Sequence, residues 1–556
     1  MGGMKATSVG AVGILIGSIR VSVDVSHDDI LKKAKDKMKR AGLPISSLHF
    51  RLYKKSVDAR RRDDIRFECT VLAEGVQDRA AYPEHLLRRA DAKYWEEELP
   101  DVSIGSDPMV ARPMVVGMGP AGLFSALLLA RSGYAPILID RGASVVERVR
   151  DVDRFRAEGL LDTESNIQFG AGGAGTFSDG KLVTRIHDPR TAFVMRTLFE
   201  FGAPEEVLYL AKPHIGTDRL RKVVNAMLEE IERLGGEVRY RCKMENFTEL
   251  SDGSLRVTTS QGVMHCGAMI LAPGHSSRDT YLRLLEKNFV LEPKPISIGF
   301  RAEHLQADID RALYGKFAGH PNLGHAEYAL SDTKGERGVY TFCMCPGGEV
   351  VAAASEEGGL VVNGMSNHAR DGVNANAAVL ASVACNDIES VNGSAVLGAI
   401  EFQRTIERAA FRAGGGDYYA PIMTAGDFLS GTRGHEPRRI LPSYRGGKCR
   451  VADFDAIYPS FLTRALQGAL TSFGKRLEGY DAPDTVLTAA ETRTSAPLRI
   501  LRDPEALCAV GHVGVYPCGE GAGYAGGITS AAVDGVRVAL SLMSRFAPPN
   551  DASKGD

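Results

Sequence analysis

Gly117, Gly119 and Gly122 stand in the order GxGxxG within PMVVGMGPAGLFSALLLARSGYAPILIDRG. Glycines at that spacing have separate uses: the first permits a tight turn, the second lets a diphosphate approach bare backbone, and the third lets a helix pack closely on a strand. A short apolar strand (114–116) leads in, and Pro120 and Ala121 open a helix whose first N–H groups attract phosphate oxygens. A second strand ends at Asp140-Arg141, where the carboxylate can accept hydrogen bonds from an adenosine ribose. Strand, glycine turn, helix, strand and acid together predict a dinucleotide site. They do not distinguish a nicotinamide dinucleotide from a flavin one.

Two later segments do. VMHCGAMILAPGHSSR ends a strand in Ala272-Pro273-Gly274. HVGVYPCGEGAGYAGGITSAAVDGVRVAL runs from a strand through Gly519-Glu520 to Gly526 and Gly527, with Ile528 opening the last helix. With the first motif, these segments resemble the flavoprotein superfamily of glutathione reductases, p-hydroxybenzoate hydroxylases and geranylgeranyl reductases. The resemblance implies bound FAD, with Glu520 on the ribityl hydroxyls and Gly526, Gly527 and Ile528 facing the pyrimidine ring of the flavin. A helix N-terminus at that edge stabilises the anionic reduced flavin. Pro273-Gly274 departs from the Asp-Gly of the hydroxylases, which speaks against hydroxylation, while Ser277-Arg278 still echoes their pattern. The runs NIQFGAGGAGTFSDGKLVTR, KPHIGTD, TFCMCPGGEVVAAASEEGG, NGMS, ETRTSAP and GEGAGYAGGITSAAVDG are similar to a family of bacterial FAD-dependent dehydrogenases. That similarity covers nearly the whole chain and implies FAD on an oxidoreductase core, with no particular substrate.

In GAGGAGTFSDGK, the glycines Gly172 and Gly173 and the residues Thr176, Phe177, Ser178, Asp179 and Lys181 suit a loop that turns N–H groups toward an isoalloxazine ring or a diphosphate. Lys181 either places positive charge beside the flavin or extends along the surface. His214, just ahead of a helix, is a candidate proton donor or a helix anchor. Arg493, in a Thr/Ser-rich loop, is a candidate clamp for a carboxylate-bearing small-molecule substrate, or half of a structural salt bridge. Asn363, Ser366 and Arg370 form a polar cluster that could line the same pocket. Cys343 and Cys345, at i and i+2, share a face on a regular strand, as a redox pair or as inert thiols. The spacings yield no Ser/His/Asp set and no metal cluster. Between about Pro295 and Tyr480 there is no second GxGxxG, so NAD(P)H, as a transient reductant, has to enter the flavin cavity itself.

The elements that must position these residues form more than one core, because 556 residues exceed what a single core supports. Lys plus Arg (67) nearly balances Asp plus Glu (69), which removes any global pull toward nucleic acid or membrane. The 61 glycines gather in tight runs, as they do where backbone meets a ligand. Nine scattered cysteines without zinc spacing suit reduced thiols, and no run reaches the ~18 apolar residues of a membrane span. The first residues flow into the alternating strand IRVSVDV, so a folded start and a cytoplasmic protein are expected. The expected fold is α/β: a three-layer Rossmann-like FAD-binding core split by a β-rich cap, plus a small N-terminal ferredoxin-like α/β domain. The boundaries are 1–85 for that domain, 86–112 for a helical linker, 113–294 and 481–546 for the two parts of the core, 295–480 for the cap and 547–556 for a tail. An FAD-dependent oxidoreductase is the expected function. An RNA-modifying flavoprotein that uses the basic segment KKSVDARRRDD, and a non-catalytic flavin-binding protein, are the alternatives.

Overall fold

The computed structural model describes residues 12–97, 99–184 and 186–549, and the chain divides into two compact units. The first unit comprises Met1–Asp101, Arg185–His214 and Asp310–Ala326. Its four-stranded antiparallel sheet runs in the order His49–Asp58, Arg66–Glu74, Val12–Ser22, Ala92–Glu96. The helix His27–Arg40 starts where the Ser26 side chain accepts the Asp29 N–H, with Asp28 and Asp29 in its first turn and Lys37, Lys39 and Arg40 in its last. It buries Ile30, Ala34 and Met38, four residues apart on one face.

One expectation for this region changes. The linker 86–112 is not helical throughout: after a short helix, Glu84–Arg89, the segment AKYWE pairs with Val12–Ile16 as a fourth strand. Its few residues lie among charges, which hides the strand alternation. In the basic hairpin segment, Asp58 is bound by Arg60 at 2.6 Å and by Arg20 at 2.8 Å, and Asp64 by Arg66 at 2.8 Å.

The second unit comprises Val102–Thr184, Ile215–Ile309 and Glu327–Asp556. Five parallel strands are ordered Val515–Pro517, Met269–Leu271, Met114–Val116, Ile137–Ile139, Glu237–Arg239. The first four are buried along their whole length, as continuous apolar runs are in a sheet covered on both faces. The helix Pro120–Arg131 is apolar all round and buried, and the helix Ile528–Arg545 crosses it so closely that a Cβ on Gly535 would lie 2.2 Å from the Ala121 carbonyl oxygen.

The middle region forms a seven-stranded sheet in the order Ser331–Asp332, Val339–Cys345, Asn374–Val383, Ile296–Leu305, Val486–Glu491, Ala420–Thr424, Cys449–Val451. The strand Val486–Glu491 lies inside it, between Ile296–Leu305 and Ala420–Thr424, so the sheet extends past the expected boundary at residue 480. Residues 550–556 of the expected tail lie outside the described residues. No helix among the described residues is long and apolar enough to cross a membrane.

Candidate functional site

The glycine-rich segments, far apart in sequence, meet in one cleft within the second unit. Gly117, Gly119, Pro120, Ala121 and Asp140 line it from the first motif, and Gly173, Ser178, Asp179 and Lys181 from the loop. Ala272 and Gly274 come from the middle motif, Glu520, Gly526, Gly527 and Ile528 from the C-terminal motif, and Arg493 lies among them. An adjoining side pocket shares Gly117, Asp140 and Phe169 and adds Arg141, whose guanidinium lies 4.4 Å from the Phe169 ring centroid.

Other predicted residues stand behind this wall and shape it. A Cβ on Gly122 would lie 1.8 Å from the Gly117 carbonyl oxygen, and one on Gly172 would lie 2.0 Å from Thr176 Oγ1. Thr176 ties the loop to itself by donating to the Ala171 carbonyl. Gly519 donates its N–H to Asp534, which is held bidentately by the buried Arg502. Phe177 is buried against the guanidinium groups of Arg148 and Arg221.

The glycines that line the cleft are of two kinds. Gly117 has φ +104°, where side chains are disfavoured, and its Cβ would lie 2.1 Å from the Ala272 carbonyl oxygen. By contrast, a Cβ on Gly119 meets nothing nearer than Gly173 Cα at 3.9 Å, and Cβ atoms on Gly274, Gly526 and Gly527 meet nothing within 4 Å. Here the absent side chains leave room for a ligand rather than for protein. The helices Pro120–Arg131 and Ile528–Arg545 both begin without a side-chain cap, at Gly119 and Gly527, so two sets of N-terminal N–H groups border the same cleft. Asp140 spans the turn by accepting the Met118 and Gly142 N–H groups, each at 2.8 Å. The side-chain oxygen of Gln168, a buried cleft residue, has no hydrogen-bond partner among the described residues. A long ligand with a doubly charged centre and hydrogen-bonding ends fits this donor set, and FAD is such a ligand.

The family described as "FAD-dependent protein, C-terminal domain-like" matches residues 295–494. A Clostridium beijerinckii protein, described only as uncharacterized, is 44% identical over 545 residues, covering 97% of this chain and 100% of its own length. The chain belongs to a family of FAD-dependent proteins. Among solved structures, CtdE in complex with FAD is similar over 78% of this chain and 86% of its own, at 11% identity and a TM-score of 0.30. FqzB is similar over 82% and 80%, at 12% identity and a TM-score of 0.36.

For this FAD-dependent chain, the residues expected to meet substrate need the most revision. The guanidinium of Arg493 is already engaged: Nε and Nη2 donate to Glu407 at 2.9 and 2.8 Å, and Nη1 donates to Ser355. Glu407 is buried and also receives Arg278 bidentately, at 2.8 and 2.9 Å, and the Thr492 hydroxyl. The fork expected for a substrate carboxylate therefore serves an internal ion network. His214 does not line the cleft; it closes a segment of the first unit, and the chain passes to the second at Ile215. Lys181 lines the cleft with its ammonium on Asp179 and the Met344 carbonyl, and Arg370 holds Asp179 from behind through Nε at 3.1 Å and Nη2 at 2.6 Å. Asn363 lines the cleft and accepts from Arg301, whereas Ser366 lines a separate cavity.

The cysteines do not share one regular face. A register shift between Phe342 and Cys345 puts Cys343 at φ +43°, exposed on the cleft, while Cys345 is buried. Burial raises the Cys345 thiol, so it lacks the depressed thiol of a redox nucleophile.

Three features were missed. His275 lines the cleft as a neutral imidazole, pulled down to about 4 by burial and then by the Arg493 and Arg278 charges. Glu491 lines it too, raised by burial although Arg301 donates to it. Arg148 is buried beneath the loop. Only the loop glycines signalled that a partner such as Arg148 was needed.

Glu520 yields a pH test. Burial pushes its carboxyl up to about 7, with Lys294 acting in the opposite direction. In the cofactor-free fold, the stability this group contributes is present below its ordinary 4.5 and is lost as the pH rises through about 7. Ribityl hydroxyls that donate to the carboxylate draw the proton off, so FAD affinity should rise between about pH 6 and 8, by at most about tenfold per unit. Titrating cofactor-free protein with FAD checks this, and Glu520→Gln should flatten the profile. A wild-type profile that is already flat would remove Glu520 from the cofactor contact.

Proposed function

We propose that the protein is an FAD-dependent oxidoreductase of the dehydrogenase or reductase type, which exchanges a hydride between FAD and a small organic substrate in the cytoplasm. What supports this is a cleft with two unlike walls: one of glycines and helix N-termini, the other of side chains able to hold a reacting molecule. The finer architecture follows: a three-layer Rossmann-like core, a β-rich cap built on the seven-stranded sheet, and a ferredoxin-like first unit. On the first wall, Gly117 to Gly122 and Gly173 would hold the diphosphate, Asp140 and Arg141 the adenosine end, Glu520 the ribityl chain, and Gly526 to Ile528 the pyrimidine edge. When bound, FAD supplies hydride acceptance or donation.

The second wall consists of Lys181, Cys343, Asn363, Glu491, Thr494 and His275. Lys181 stays charged: burial works against it, but Asp179 and its other neighbours raise it overall. It can therefore bind an electron-rich substrate atom, taking the role first expected of Arg493. His275 has Nδ1 on the Ser276 hydroxyl at 3.0 Å, which leaves Nε2 to exchange a proton with substrate.

The test is an anaerobic screen of amines, alcohols and activated alkenes, reading loss or return of the visible band of oxidised flavin. One substrate class should change the band in the wild type and much less in Lys181→Met. A band that no substrate or reductant changes would favour a non-catalytic flavin-binding protein. Because the middle region lacks a second dinucleotide motif, a substrate analogue that shifts the flavin spectrum should exclude NAD(P)H competitively. Simultaneous tight binding of both would refute a single shared cavity.

A further inference from the structure

Arg148 lies in the helix Val145–Glu158 with none of its surface exposed, and the glycine loop folds around its guanidinium. Nε donates to the Asn166 carbonyl at 2.8 Å, Nη1 to Ala171 at 2.7 Å and Gly170 at 3.3 Å, and Nη2 to Ile167 at 2.8 Å and Gly173 at 2.9 Å. Every nitrogen is occupied, and every acceptor is a neutral backbone carbonyl. Among the described residues, no carboxylate forms an ion pair with it. Three other buried arginines of this unit have acids, Arg278 with Glu407, Arg301 with Glu491 and Arg502 with Asp534, whereas Arg445 also donates to backbone carbonyls. A buried cation with no carboxylate bonded to it is costly, and a fold that keeps one has a reason to.

The position of Arg148 suggests that reason. Gly173, whose carbonyl it holds, lines the cleft, and a Cβ there would lie 2.8 Å from Cα of Gly119, the second glycine of the diphosphate motif. The Arg148 side chain is therefore one residue's thickness behind the wall that the uncapped Pro120 helix also borders.

We propose that Arg148 is a positioning residue for the cofactor diphosphate, shaping the loop through five carbonyls while its charge, to which no carboxylate is bonded, takes the diphosphate as counter-charge across the Gly173 backbone. The proposal rests on the FAD cleft alone and is independent of whether the protein catalyses hydride transfer. Burial pulls the guanidinium down to about 9, opposed by Asp140 and reinforced by Arg221, so a nearby dianion has charge to stabilise.

Cofactor-free wild type, Arg148→Lys and Arg148→Met are titrated by calorimetry with FAD, with ADP (the diphosphate without flavin) and with riboflavin (the flavin without phosphate). Arg148→Met should weaken FAD and ADP by about tenfold to a hundredfold, the span of a charge-assisted contact, and leave riboflavin within about twofold. Arg148→Lys, which keeps the charge but not the five-donor fan, should fall between. Equal weakening of all three ligands would reduce Arg148 to a structural clamp and overturn the proposal. If Arg148→Met does not fold, Arg148→Gln, which keeps N–H donors but not the charge, is titrated in its place: selective weakening of FAD and ADP supports the proposal, and equal weakening of all three ligands overturns it.

Discussion

Gly119→Val should yield folded, colourless protein. Gly119 caps the Pro120 helix at φ −71° and ψ 178°, a conformation open to any residue, and the nearest atom to its Cβ would be Gly173 Cα at 3.9 Å. The Cβ of valine therefore clears the protein. Its branched side chain fills the space over the helix N-terminus through which a diphosphate must reach the backbone N–H groups. FAD affinity should drop by at least about a hundredfold, ~2.8 kcal/mol, while the melting temperature of the cofactor-free protein stays within about 2 °C of wild type. Flavin released per mole of protein, with thermal melts of both apoproteins, gives the measurement. Gly122→Val is the contrasting control: its Cβ would lie 1.8 Å from the Gly117 carbonyl oxygen, so it should damage the fold itself. Full flavin content in Gly119→Val would mean that this turn does not hold the diphosphate.

The contrast between these two glycines shows what a sequence carries. GxGxxG and Asp140 were legible because strand, turn, helix and strand follow one another, and their hydrogen bonds, such as Met118 N–H to Asp140, close within a short stretch of chain. The helix expected just after His214 is found at Thr217–Arg233 for the same reason, since its apolar stripe has the helical period. The strand AKYWE was obscure because its partner, Val12–Ile16, lies at the other end of the domain. Val486–Glu491 was assigned to the core by its nearness to the last FAD motif, whereas pairing with Ile296–Leu305 puts it in the middle sheet. Periodicity reports which face of an element is buried, not what buries it.

Arg493 is the clearest case, because its residue type suggested a free clamp and the sequence could not show Glu407, 86 positions earlier. Its true setting leads to the second large effect. Glu407→Gln should destabilise the second unit by about 3–5 kcal/mol near neutral pH, because it leaves the guanidinium groups of Arg278 and Arg493 buried around a neutral amide. Glu356, the other acid nearby, already bonds Arg278 at 2.9 Å but is partly exposed and shared with Arg404, so it offsets only part of the lost charge. Burial raises the Glu407 carboxyl, but Arg278 and Arg493 outweigh it and hold the group well below its ordinary 4.5. A depressed acid contributes stability that is present above its unfolded pKa and lost as the pH falls through the folded one. The gap between wild type and Glu407→Gln should therefore be full at neutral pH and narrow below about pH 4.5. Urea unfolding followed at several pH values measures it. Arg493→Lys should also act on stability, by about 1.5–3 kcal/mol for the lost charge-assisted bonds. If Glu407→Gln unfolds like wild type at neutral pH while Arg493→Lys loses only substrate-dependent turnover, then Arg493 turns toward substrate after all and the ion network does not hold it.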